Sequence, residues 1–349
     1  MYTSSVALAV LFAMVSSAAA YPGVKPGPIR KLITIDMPVP SGSHRFKTDS
    51  VGSPPATKRM SYFVERGLAI THGDVIFATE EDLIHDSNAQ RRSLSVFKSD
   101  NQSLWPAGRI EYKWESEDAK GMGRLEAWTE ATKRWTDMLP FLKFNENEPG
   151  ESMEDDIVTL VPTEGQGSCY SPIGRSQNSR HNQIMLDNDC GGAGTYTHEL
   201  GHTLGLYHEH TRPDRDDYVI INCDNVMQSS DGPNDCSENC SGNGCNFARL
   251  ADDKAKWSGP YDSLSIMHYG PYEFAGGNGP AIVAKDGVTP PPRHHTFPTV
   301  QDAKRVCTIY GDDCTGVCGD GVVDKGNGED CDDGNNEDGD GCSASCKTE

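Results

Sequence analysis

Residues 197–209 read Thr197-His198-Glu199-Leu200-Gly201-His202-Thr203-Leu204-Gly205-Leu206-Tyr207-His208-Glu209. His198 and His202 stand four apart, so a helix places both imidazoles on one face. That arrangement suits two nitrogens on one Zn²⁺ at about 2.0–2.1 Å. Glu199 directly follows the first histidine and can reach a zinc-bound water to take its proton. Gly205 can adopt positive φ and turn the chain out of the helix, which lets His208 return as a third ligand. Three neutral nitrogens leave one coordination position open, as in a catalytic rather than a closed structural site.

Around this stretch the chain alternates strands and helices. Trp105 to Trp114 reads as a strand after a turn marked by Pro106 and Gly108. Residues 117–138 carry Leu125, Trp128, Ala131, Trp135 and Met138 at helical spacing, which predicts an amphipathic helix with core tryptophans. Asp156 to Val161 and Gln183 to Leu186 read as strands, and Tyr196 to Leu206 as a second helix ended by Gly205. Downstream, Ser265-Ile266-Met267-His268-Tyr269-Gly270 supplies a methionine-containing turn. A long histidine motif followed by such a turn is the metzincin signature, with Met267 as the apolar floor of the site.

Composition narrows the class. The 349 residues suggest two or three units, and a net charge of -21 argues against nucleic-acid binding and against docking on anionic lipid. Residues 1–20 read as a signal peptide: an apolar run, Val6 to Val15, precedes small residues at Ala18 and Ala20. The run is too short to span a bilayer, and no later stretch is long enough, so no membrane span is expected. Twelve cysteines, several in loops rich in Gly, Ser, Asn and Asp, fit an oxidising, extracellular setting. Asn101 and Asn239 begin glycosylation sequons.

Residues 21–60 are rich in Pro, Gly and Ser and read as extended chain without a core of its own. Arg91-Arg92 is a dibasic pair open to processing. Cys223, Cys236, Cys240 and Cys245 share one polar loop, and four cysteines allow three connectivities. Residues 311–349 hold twelve acidic residues against two lysines, a local charge of -10, with nine glycines and five cysteines. Such a segment must be held by disulfides, by bound metal, or by both. Its clustered carboxylates suit Ca²⁺, although a disulfide knot with solvated acids accounts for the same residues.

His198 to Val219, with Arg212-Pro213-Asp214-Arg215-Asp216 after Glu209, closely resembles the astacin family, as does Tyr261 to Tyr269. The resemblance covers roughly residues 93–314 and includes Trp105-Pro106-Ala107-Gly108. It implies a two-lobed α+β zincin domain that hydrolyses peptide bonds of protein or peptide substrates with a zinc-activated water. It implies His198, His202 and His208 as ligands and Glu199 as the base. It implies Tyr269 as a movable ligand that stabilises the oxyanion, and a Cys169–Cys190 disulfide. Gln183 to Leu186 matches the edge strand that pairs with substrate. Thr71-His72-Gly73-Asp74-Val75 resembles the latency motif of a propeptide spanning residues 21–92. Asp74 would there replace the catalytic water. Thr71 stands where the family has an aromatic residue. Cleavage after Arg92 would give an amine at Ser93 that approaches Glu209.

Phe141 occupies the place of a family cysteine, which leaves Cys307 and Cys314 unassigned; a bond between the two is one pairing left open. The tail, 315–349, is similar to a Myxococcus-type cysteine-rich repeat; its partner is unknown. The rival readings are an inactive zinc-binding adhesion protein and another metzincin family. The intact Glu199 weighs against the first and the Glu209–Val219 run against the second.

Overall fold

The computed structural model describes residues 31–38, 57–85 and most of 104–349. Breaks fall at 151–155, 164–167, 177–178, 230–231, 251–257, 293–294, 311–317, 320–322, 324–328, 334–338 and 344. The apolar run Val6–Val15, the Arg91-Arg92 pair, Ser93, Asn101 and Cys314 lie outside the described residues.

The central sheet is built from β5 (Arg109–Trp114), β6 (Lys143–Glu146), β7 (Ile157–Thr163) and β9 (Gln183–Asp187), all parallel, in the order β6-β5-β7-β9. Parallel neighbours need a crossover, and the helix α2 (Arg124–Met138) supplies the one between β5 and β6. Helix α3 (Ala193–Thr203) packs against α2. Between sheet and helices lie Trp105, Trp114, Trp128, Trp135, Tyr196 and Leu200, each at most 1% exposed. Burying a side chain of that aromatic size contributes about 4–6 kcal/mol by area alone.

Backbone geometry moves several expected boundaries. Pro106–Gly108 forms a 3-10 turn with Ala107 at φ 51°, so the strand expected from Trp105 begins at Arg109. Gly123, at φ 81°, breaks the helix expected over 117–138, and residues 118–120 form a separate 3-10 turn. Trp128, Ala131 and Trp135 face the core as expected, but Leu125 is 36% exposed.

The N-terminal segment departs most from expectation. Strands β1 (Ile33–Pro38), β2 (Thr57–Glu65), β3 (Leu68–Thr71) and β4 (Val75–Thr79) form an antiparallel meander, followed by a short helix α1 (Glu80–His85). This segment does have a core: Met60, Tyr62, Phe77 and Ala78 are buried together, with Ile33 packed against them. The prolines of residues 21–60 masked the apolar alternation that makes β1. Strand β4 then adds in parallel to β8 (Ser171–Pro172), pairing Val75 with Ser171.

That pairing corrects the expected substrate edge. β9 ends the four-stranded order, but its outer side is covered at Met185, which exchanges both backbone hydrogen bonds with Tyr170 at 2.8 and 3.1 Å. The edge presented to the N-terminal segment is Ser171–Pro172.

After His208 the chain runs through short 3-10 turns and a two-stranded sheet of β10 (Val219–Ile221) and β11 (Ile282–Ala284). Helix α4 (Val300–Tyr310) returns to the first lobe, burying Ala303, Val306 and Tyr310 in its core. Cys169–Cys190 is formed, as the resemblance implies. The polar loop is closed by Cys223–Cys236 and Cys240–Cys245, and the tail by Cys318–Cys346 and Cys331–Cys342. Cys307 is also bonded. No helix among the described residues is long and apolar enough to cross a membrane.

Candidate metal centre and catalytic site

Helix α3 is held at its middle and at its C-terminal end by tryptophans. The Trp135 indole donates to the Thr197 carbonyl at 2.9 Å, and the Trp105 indole to the Thr203 carbonyl at 3.0 Å. The helix closes at Thr203, earlier than Leu206, in a Schellman arrangement. Gly205, at φ 109°, donates its N–H to His202 O at 2.8 Å, and Leu206 to Gly201 O at 3.0 Å. The released chain brings His208 back over the helix.

His198 and His202 both donate from Nδ1, to Ile266 O at 2.7 Å and to Leu206 O at 2.8 Å. Each therefore presents an Nε2 lone pair inward. Those nitrogens lie 3.2 and 3.1 Å from His208 Nε2. Asp74 places its carboxylate oxygens 3.2–3.6 Å from the same three nitrogens. Ligand atoms at tetrahedral angles on bonds of about 2.0–2.1 Å sit about 3.3–3.4 Å apart, so this donor set fits Zn²⁺. Charge agrees with geometry. Burial lowers His202, and His208 to about 4; at His198 burial also pulls down, but the hydrogen bond and charge of Asp74, with the charge of Glu199 and the bond to Ile266 O, together raise it to about 9. Burial alone would raise Asp74, but His208 and the bonds to all three imidazoles hold it well below the usual carboxylate range.

Asp74 arrives on the β3–β4 turn, where His72 and Gly73 take φ of 50° and 88°. Gly73 is required there: a Cβ would lie 2.5 Å from the Tyr269 hydroxyl and 2.6 Å from the Phe274 ring. The Tyr269 phenol donates to His72 O. Burial, then the charge of Asp74, keeps that phenol well above its ordinary pKa, so it remains a donor.

Glu199 is 1% exposed, and Ser171 Oγ donates to its Oε2 at 2.7 Å. Burial, then the charge of Asp74, raises Glu199 to about 8. Met267 lies beneath the helix, where a Cβ on Gly201 would overlap its sulfur. Glu209 donates its N–H to Met267 O at 2.9 Å. Its carboxylate meets Arg305, at 2.7 Å, within the described residues.

The structure thus gathers His198, His202, His208, Glu199, Tyr269, Met267, Glu209 and Asp74 in one place. Sequence reading missed Ser171, Asp302 and Arg305. Asp302 is fully buried and accepts from the Ile266 N–H at 2.9 Å and the Ser265 hydroxyl. Its signal was a polar pair, Asp302 and Arg305, on the buried face of α4 beside Ala303 and Val306. The tail brings Glu329 and Asp332 near Cys346, but that sulfur is bonded to Cys318. Two carboxylates fall short of the 6–8 oxygens calcium takes, and calcium gains no support among the described residues.

The chain is 34% identical over 175 residues to astacin-like metalloprotease toxin 5 of Loxosceles gaucho, covering 50% of this chain and 81% of the toxin. It is 28% identical over 251 residues to zinc metalloproteinase nas-4 of Caenorhabditis elegans, covering 71% of this chain and 70% of the relative. Among solved structures, high choriolytic enzyme 1, a hatching enzyme zinc-protease of Oryzias latipes, aligns with a TM-score of 0.45 at 27% identity, over 61% of this chain and 92% of that one. The model of the Astacin peptidase family matches residues 97–291, more than half of the chain and all of the histidine motif and methionine turn. The chain belongs to the astacin family of peptidases and is a zinc metalloendopeptidase.

Proposed function

We propose that the chain is a secreted endopeptidase made as a latent precursor. Residues 1–20 are a signal peptide, 21–92 a propeptide, 93–314 the catalytic domain and 315–349 a Myxococcus-type cysteine-rich module. The observation that carries this reading is Asp74, whose oxygens stand 3.2–3.6 Å from the three histidine nitrogens. A carboxylate there takes the open position that an attacking water needs. The β4–β8 ladder supports the same reading, since backbone pairing along the cleft is how an extended peptide substrate is held.

Zinc, when bound, supplies a Lewis acid that polarises the scissile carbonyl and acidifies a water. Glu199 takes a proton from the attacking water and returns it to the leaving amine. Ser171 aims that carboxylate. Tyr269, freed from His72, donates to the oxyanion as its charge grows. Cleavage after Arg92 releases the segment. Casein cleavage by the chain lacking residues 21–92, with and without 1,10-phenanthroline, tests the reading. The expected result is cleavage that the chelator abolishes and added Zn²⁺ restores. No cleavage by the zinc-loaded, processed chain would contradict it in favour of an inactive binding protein.

A further inference from the structure

The residue after the third histidine already has its counter-ion before any processing. Glu209 is 2% exposed. Its Oε1 accepts from Arg305 Nη2 at 2.7 Å and from the Asp262 N–H at 2.8 Å. Arg212 stands 3.7 Å away, but its guanidinium forks onto Asp214 at 2.7 and 2.8 Å. Arg305 is therefore the close cation. It is 7% exposed, and it donates to Pro260 O at 2.8 Å and to Ser258 O at 3.3 Å, so its head is held in place from three sides.

Three residues earlier on α4, Asp302 grips the methionine turn. Its carboxylate accepts from the Ile266 N–H at 2.9 Å and from the Ser265 hydroxyl, which in turn accepts from the Met267 N–H at 3.0 Å. The carbonyl of Ile266 receives His198 Nδ1–H at 2.7 Å, and that of Met267 receives the Glu209 N–H at 2.9 Å. One helix thus holds the surroundings of the first ligand through Asp302 and of the third through Arg305. The two residues are 3.6 Å apart and form one network.

We infer that Arg305 is the standing counter-ion of Glu209 and a positioning residue of the zinc site, so that the processed enzyme does not depend on a free amine at its new start. A buried carboxylate that loses its nearest cation must shift to find another partner, and His208 is its chain neighbour. An amine brought to Glu209 by cleavage would reach an ion pair that is already closed. The inference rests on the reading of the chain as a zinc endopeptidase processed after Arg92.

The test uses the full chain in three forms: Arg305→Gln, Arg305→Lys, and an insertion of Gly-Ser-Gly between Arg92 and Ser93 that displaces the new amine. Zinc release to EDTA is read on the unprocessed chains, and kcat/KM after processing. Arg305→Gln should release zinc at least about tenfold faster, the usual scale for loss of an outer partner of a metal ligand, and Arg305→Lys should restore much of it. The insertion should leave zinc release and kcat/KM within about twofold of the unaltered chain. Loss of activity on insertion, or zinc release from Arg305→Gln equal to the unaltered chain, would overturn the inference. If no processed form cleaves peptides, the endopeptidase reading fails, and the zinc-release comparison still decides the role of Arg305.

Discussion

Ser171 Oγ stands 2.7 Å from Glu199 Oε2, while the Ser171 backbone N–H donates to Asp74 O at 3.0 Å. One residue therefore aims the base and docks the segment that silences it. Ser171→Ala removes a hydrogen bond that favours ionised Glu199, so the Glu199 pKa must rise. The acid limb of kcat/KM for processed enzyme should shift to higher pH. An unmoved limb would mean that Ser171 does not hold the base in the working enzyme.

Release of Asp74 acts on the same group with the opposite sign. Its charge helps raise Glu199 to about 8 in the precursor. Once it departs, Glu199 should titrate below that value, and activity should rise with pH through the new, lower pKa. A processed enzyme whose acid limb stays at or above about 8 would contradict this account of the shift.

Glu199→Gln should retain zinc, because the three histidines remain, and lose proteolysis by about 10²–10⁴-fold. Metal content and turnover on one preparation decide it. Near-normal turnover with zinc bound would remove Glu199 from the mechanism.

Trp135→Phe deletes the indole donor to the Thr197 carbonyl. The Thr197 carbonyl keeps its helix bond, so the loss is that of one neutral buried hydrogen bond, about 0.5–1.5 kcal/mol, and lost ring volume adds to it. Denaturant unfolding of the zinc-free chain should show a drop of at least that size. A neutral substitution would mean the indole only fills space.

How much of this was legible in the sequence depends on how local the signal is. The ligand helix and Gly205 follow from residues within one or two turns of each other, so spacing alone exposes them; the methionine turn was legible because it is paired with that motif. The role of Trp135 in the core was readable from helical spacing, but its hydrogen bond to α3 depends on how two helices cross. β1 was hidden because Pro38, Pro40 and their neighbours read as coil, although Ile33 packs with Met60 and Tyr62 in the meander. The true cleft edge, Ser171–Pro172, is two residues long and has no strand pattern. Arg305 lies far along the chain from Glu209, and only the return of α4 to the first lobe brings them together.

Zinc-loaded full-length chain carrying Asp74→Ala tests the central claim most directly. The wild-type precursor should be silent on a quenched peptide substrate, because the Asp74 carboxylate fills the open position among His198, His202 and His208. Without that carboxylate the open position among the three histidines is freed, and the unprocessed variant should cleave at least about tenfold faster than wild type, with activity abolished by Glu199→Gln in the same chain. An Asp74→Ala precursor that binds zinc and stays as silent as wild type would contradict latency by this carboxylate.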